Sequence, residues 1–125
     1  MKKFKFADDV DVVIEKDFHS NTPLHYLAGK GNIEVLKHHS VDVVRNKHGS
    51  TPLHWLAEQG KIEVLNHKSV DVVKNNDGST PLHWLATEGA EEVLSHKSVD
   101  VVRDNLGSTP RDMYNQFLII KRERK

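Results

Sequence analysis

The apolar positions of this chain follow neither one helical period nor one strand alternation; they come in packets that recur. Leu53, Leu56 and Ala57 are followed by Ile62, Val64 and Leu65, then by the β-branched run "SVDVV". Similar packets lie before, at Leu24, Leu27, Ala28, Ile33, Val35 and Leu36, and after, at Leu82, Leu85, Ala86, Val93 and Leu94. The spacing is 29 residues, marked by Thr22-Pro23, Thr51-Pro52, Thr80-Pro81 and Thr109-Pro110. A fixed period of this size denotes a stack of small supersecondary units, each too small to bury its own apolar face.

Within one unit, local rules predict the elements. Thr51 suits a helix N-cap and Pro52 the first helical position, where its missing N–H would have been an orphan anyway. A helix therefore starts at "TP" and runs through "LHWLAEQ" to Gly60, a residue suited to the left-handed conformation that ends helices. A second, short helix carries "IEVLNH". The following "KSVDVVKNNDG" reads as an extended segment and a tight turn. Stacking would merge the packets into one core, with Glu91, in the place of Ile62, at an edge where its carboxylate meets water.

Three segments, "TPLHYLA", "TPLHWLA" and "TPLHWLA", starting at Thr22, Thr51 and Thr80, resemble ankyrin repeats. The likeness covers roughly residues 10 to 120. It implies an all-α repeat solenoid: an L-shaped stack of paired antiparallel helices with projecting loops, binding another protein and catalysing nothing itself. The expected division is one domain over 1–125, with an N-terminal cap over 1–20, repeats over about 21–49, 50–78 and 79–107, and a C-terminal half repeat over 108–125. The chain departs from the family in three ways. Its period is about four residues shorter than the usual 33, which predicts a second helix near two turns. The position two after each His, usually Ala, holds Leu27, Leu56 and Leu85, larger side chains that would refill volume lost with the shortened helix. The projecting loop is also shorter than usual.

Composition narrows the function classes. Lys+Arg and Asp+Glu are equal at 18 each, so no net field draws a polyanion, and nucleic acid is not an expected partner. With no cysteine, thiol nucleophiles, disulfides and thiolate metal sites are excluded. No apolar run approaches the roughly 20 residues of a bilayer span, and "MKKFKFADD" lacks the apolar stretch of a secretory signal. A cytoplasmic monomer is expected, or a nuclear one in a eukaryotic host, without membrane contact. In the last copy Arg111 and Asp112 replace Leu and His, as a solvent-facing end requires, and "KRERK" puts positive charge at a helix C-terminus, where the macrodipole favours it.

The histidines recur with the framework. His25, His54 and His83 belong to the "TPLH" motif, in which the resemblance implies bonds to the Thr hydroxyl and nearby backbone. His38, His67 and His96 end the short helices, where capping is expected; His38 and His39 should point apart on a helix. Equivalent atoms in stacked repeats lie about 8 to 10 Å apart, too far to share a metal with bonds near 2 Å. No phosphate loop and no nucleophile set lies outside the repeat pattern, so neither catalytic residues nor a cofactor or metal is expected.

Helical phase singles out another group. With Leu53 at zero and about 100° per residue, Leu56 falls near 300° and Ala57 near 40°, while Trp55 falls near 200°, Glu58 near 140° and Gln59 near 240°. The outward side of the first helix thus carries Trp55, Glu58 and Gln59. Equivalent residues are Tyr26, Gly29 and Lys30 before it and Trp84, Thr87 and Glu88 after it. In ankyrin-like stacks this side is the concave groove beside the loops. The expected protein-binding residues are Tyr26, Lys30, Trp55, Glu58, Gln59, Trp84, Thr87 and Glu88, joined by loop-tip residues Lys47, His48, Asn76 and Asp77; Asn105 and Leu106 form the third tip. Two alternatives stay open. The rings could instead fill gaps between neighbouring helices, and the stack ends or the aromatic stripe could serve self-assembly.

Overall fold

The structure is a computed structural model and describes residues 16–123. Most of the expected N-terminal cap, over residues 1–15, lies outside the described residues, as do the last two residues of "KRERK". Among the described residues the chain is all-helical, without strands. Four α-helices, α1 (Pro23–Gly29), α2 (Pro52–Glu58), α3 (Pro81–Thr87) and α4 (Pro110–Glu123), alternate with three 3₁₀-helices, η1 (Ile33–Lys37), η2 (Ile62–Asn66) and η3 (Glu91–Ser95). Each α-helix packs on the next in sequence order, and each η element lies against the α-helices on either side of it.

The α-helices share one kind of start, in which a threonine cap and the third helical residue satisfy each other's backbone amides. At α2, Pro52 has no N–H to satisfy. The Leu53 N–H donates to the Val41 carbonyl of the preceding turn (3.0 Å), and the His54 N–H reaches Thr51 Oγ1 (3.4 Å). In return His54 Nδ1 accepts the Thr51 N–H (3.1 Å), closing a reciprocal capping box. With Nδ1 acting as acceptor, the ring proton of the neutral imidazole sits on Nε2, which donates to the Ser79 carbonyl of the next unit at 2.8 Å. His25 and His83 make the same bonds to the Ser50 and Ser108 carbonyls, each 2.8 Å long. Burial, only partly opposed by the carbonyl bond, lowers the pKa of all three, that of His54 to about 4.

Other pairs repeat across the same seams. Ser69 Oγ donates to Asp42 Oδ2 (2.6 Å) and Ser98 Oγ to Asp71. At the third seam Arg111 of α4 takes over that role, with Nε 2.6 Å and Nη2 3.2 Å from the Asp100 carboxylate. Asp112, which replaces the motif histidine, still accepts the Thr109 N–H (2.9 Å) but has no proton to send onward.

The core contains Leu24, Ala28, Val35, Leu53, Leu56, Ala57, Val64, Leu82, Leu85, Ala86 and Val93, all buried. Leu27, Leu36, Leu65 and Leu94 pack against it partly buried. Three expectations are corrected. The second element is as short as expected but winds as a five-residue 3₁₀ segment rather than an α-helix, and Ile33 and Ile62 are exposed rather than core. At three residues per turn a segment of this length points one position squarely inward, here Val35, Val64 and Val93. The "SVDVV" run is not extended; it turns back on itself, with the Val43 and Val44 N–H groups both reaching the Ser40 carbonyl. Its first valine enters the core in each copy (Val41, Val70, Val99), while Val43, Val72 and Val101 face outward. Tertiary packing thus overrides the strand preference of β-branched residues. Glu91 is exposed, as expected.

Two predictions follow from this packing. Leu56→Ala, which empties a fully buried site where two units meet, lowers stability in chemical denaturation by about 2 to 5 kcal/mol. Because the unfolded chain binds a proton at each motif histidine near pH 6.5 while the folded chain does so only lower, stability is full above about pH 6.5 and declines as pH falls toward about 4. Urea midpoints across this range should fall with acidity, and His54→Gln should flatten the slope by about one proton while lowering stability throughout.

Candidate functional site: an aromatic and acidic groove across the helix seams

The framework occupies one side of each α-helix and leaves the other to the residues between the motif positions. Trp55 extends from α2 across the seam to α1, meeting the His25 ring edge-on at 5.2 Å and the Tyr26 ring at 5.7 Å. A β-carbon added to Gly29 would sit 3.1 Å from Trp55 Cε3, so the small residue makes room for the indole. Trp84 repeats the arrangement one seam on, 5.1 Å from the His54 ring. Both indoles are half-buried: one part packs on the preceding helix and the rest faces a groove. Their exposure lies between the two orientations considered from sequence.

Trp84 lines two depressions. One, about 340 Å³, is lined by Asn46, His48, Ser50, Trp55, Glu58, Asn75, Asp77 and Trp84. The other, about 200 Å³, is lined by Glu58, Ser79, His83, Trp84, Thr87, Glu88 and Met113. Trp55, Glu58, Trp84, Thr87, Glu88, His48 and Asp77 are therefore brought together from three units. Glu58 borders both depressions. Glu88 has its pKa raised, first by burial and then by the negative charge of Glu58.

The remaining expected residues lie elsewhere. Tyr26 is exposed, but its hydroxyl donates to the Asp17 carboxylate, and it lines a separate hollow with Asp17, Asn21 and Pro23. This bond is the main reason that the Asp17 pKa falls to about 2. The Lys47 ammonium sits 4.4 Å from the Phe18 ring centroid. Lys30 and Gln59 are exposed and line neither depression. Asn76 belongs to the framework: its Nδ2 donates to the Lys47 carbonyl (3.0 Å), and Asn105 Nδ2 does the same to the Asn76 carbonyl (3.0 Å). The loop tips are thus laced together, and variation of residue type at this position does not make all of them free of structural demands.

Sequence reasoning missed several parts. Asn46 and Asn75 line the groove and also hold the loops in shape, each Oδ1 accepting the N–H groups two and four residues on. Asp17 and Asp104 stand at the same repeat position and do the same, and Ser20 takes the positive φ (65°) held by Gly49, Gly78 and Gly107 in the other units. The 29-residue register would have identified this acid-or-amide position. Met113, Phe117 and Ile120 of α4 line a further hollow of about 460 Å³ that Thr87 also borders.

No family model matches the sequence. No curated protein matches it either.

The second histidine series holds the chain turn after each η element, with His38, His67 and His96 Nδ1 accepting the N–H of Ser40, Ser69 and Ser98 at 3.0, 3.1 and 3.0 Å. His38 and His39 do not point apart; their rings stack, with centroids 4.6 Å apart. Among the described residues no group of three His, Asp or Glu is placed to hold a metal ion. No helix there is long and apolar enough to cross a membrane.

Because each indole is half-buried on the preceding helix, Trp55→Ala lowers stability by about 3 kcal/mol and Trp84→Ala by a similar amount, near the lower end for aromatic truncation. Thermal or urea melts of the single variants test this, and unchanged midpoints would show rings without packing value.

Proposed function

We propose that this chain is a short-period repeat module of the ankyrin type that binds another protein through the groove crossed by Trp55 and Trp84. The observation that carries the reading is the groove itself, where half-exposed indoles, carboxylates and loop-tip side chains converge from three successive units. Tryptophan in such a setting is among the residue types that most often dominate interface energy. The framework beneath is held by repeated inter-unit hydrogen bonds, so the groove is pre-organised and little ordering opposes binding. Tyr26, Lys30, Lys47, Gln59 and Asn76, outside the groove, have at most a peripheral part. On this reading the chain acts in the cytoplasm or nucleus as a non-catalytic scaffold, without cofactor or nucleic acid.

A second reading, self-association, draws on α4, where Leu118, Ile119 and Ile120 remain partly exposed. Light scattering across concentration separates the two: a persistent monomer leaves hetero-binding, and a concentration-dependent dimer favours α4 as a contact between copies.

The test is affinity capture from host extract with the intact chain and two variants. A partner retained by Glu63→Ala, on exposed η2, but lost by His48→Ala with Asp77→Ala supports the groove. A partner bound equally by both variants contradicts it.

A further inference from the structure

The two depressions beside Trp84 share a charge pattern that the binding reading does not itself require. Glu58 and Glu88 lie on the same groove as the indole, and Asp77 borders the other depression. No lysine or arginine lines either depression, although the protein as a whole carries as many basic as acidic residues. Away from the groove several acidic side chains have partners from this chain: Glu34 pairs with Lys37, Asp100 with Arg111, and Asp42 accepts from Ser69. Glu58 and Glu88 line one depression together, and burial first, then the charge of Glu58, raises the Glu88 pKa. An indole face attracts a cation held over it, and a guanidinium also matches a carboxylate through paired N–H donors.

We propose that the occupant of this groove is an arginine-bearing basic segment of a partner protein, one guanidinium lying over the Trp84 indole between Glu58 and Glu88. The inference rests on the protein-binding reading and gives it a chemistry: complementarity of charge selects the partner, and Trp55 and Trp84 supply the apolar contact. Acidic or phosphorylated segments are rejected by the same carboxylates.

Trp55 and Trp84 are the sole tryptophans, so intrinsic fluorescence reports directly on the groove. The probe is an acetylated nona-arginine peptide, with nona-glutamate as the opposite-charge arm, titrated into the intact chain at low and at about 0.3 M salt. The proposal expects a saturable change with nona-arginine, weakened by salt, and none with nona-glutamate. Glu58→Gln with Glu88→Gln should weaken binding roughly tenfold, whereas Glu34→Gln with Glu63→Gln, which removes equal charge away from the groove, should change it less than about twofold. Melting curves confirm that both variants fold. No saturable change with nona-arginine, or equal weakening in the two double variants, overturns the proposal. In capture from host extract, a partner lost by His48→Ala with Asp77→Ala but kept by Glu58→Gln with Glu88→Gln would overturn the arginine inference while leaving the protein-binding reading intact.

Discussion

His54 accepts an N–H from Thr51 at one ring nitrogen and donates to the Ser79 carbonyl with the other. Those two bonds join problems that most helical proteins solve separately. The first closes the capping box that starts a seven-residue helix, one too short to be stable alone. The second ties that helix to the loop before the next one, so a unit can form its cap and its contact with a neighbour at once. A single intramolecular hydrogen bond contributes only about 0.5 to 1.5 kcal/mol, whereas an unmatched buried partner costs about 1 to 3. Losing the imidazole would leave Thr51 and Ser79 both short of partners. The arrangement also demands a neutral ring, because a proton on Nδ1 would face the Thr51 N–H.

The consequence for function is spatial. Each unit needs one side of its first helix for the core and the histidine bridge, and Trp55 and Trp84 leave that side at the seam. Their indoles lean back on the preceding histidine and partly close the seam, so the groove floor is built from neighbouring units rather than from one helix. Glu58 belongs to the unit before Trp84 and Glu88 to the unit of Trp84 itself, so the carboxylates that line one depression with the indole come from two units. The carbonyl ladder through Asn76 and Asn105 holds the loop tips in register beside it.

Much of this was legible because the repeat states the same requirement several times. The Thr-Pro-Leu-His start, the burial of Leu53, Leu56 and Ala57, and the glycine after each helix follow from local chemistry. Ser40 to Val44 was not legible, because β-branched residues favour extended backbone until Val41 finds a place in the core and Ser40 accepts the amides of Val43 and Val44. Ile33 and Ile62 were misplaced because apolar character does not reveal whether a short segment winds at 3.6 or at three residues per turn. Helical phase gave the outward direction of Trp55 but not its lean toward His25 and Gly29, since an indole reaches across a seam that a wheel does not contain. The role of Asn76 was hidden for a similar reason: its partner, the Lys47 carbonyl, lies a full unit away.

Nitrogen NMR of the imidazole rings tests the central claim most directly. The histidine bridge requires His25, His54 and His83 to be neutral Nε2–H tautomers at pH 7, with Nδ1 unprotonated and His54 staying neutral well below the ordinary histidine range. Three ring systems with an Nδ1–H signal, or titrating near 6.5 like exposed histidines, would contradict the bridge and the stacked framework that rests on it.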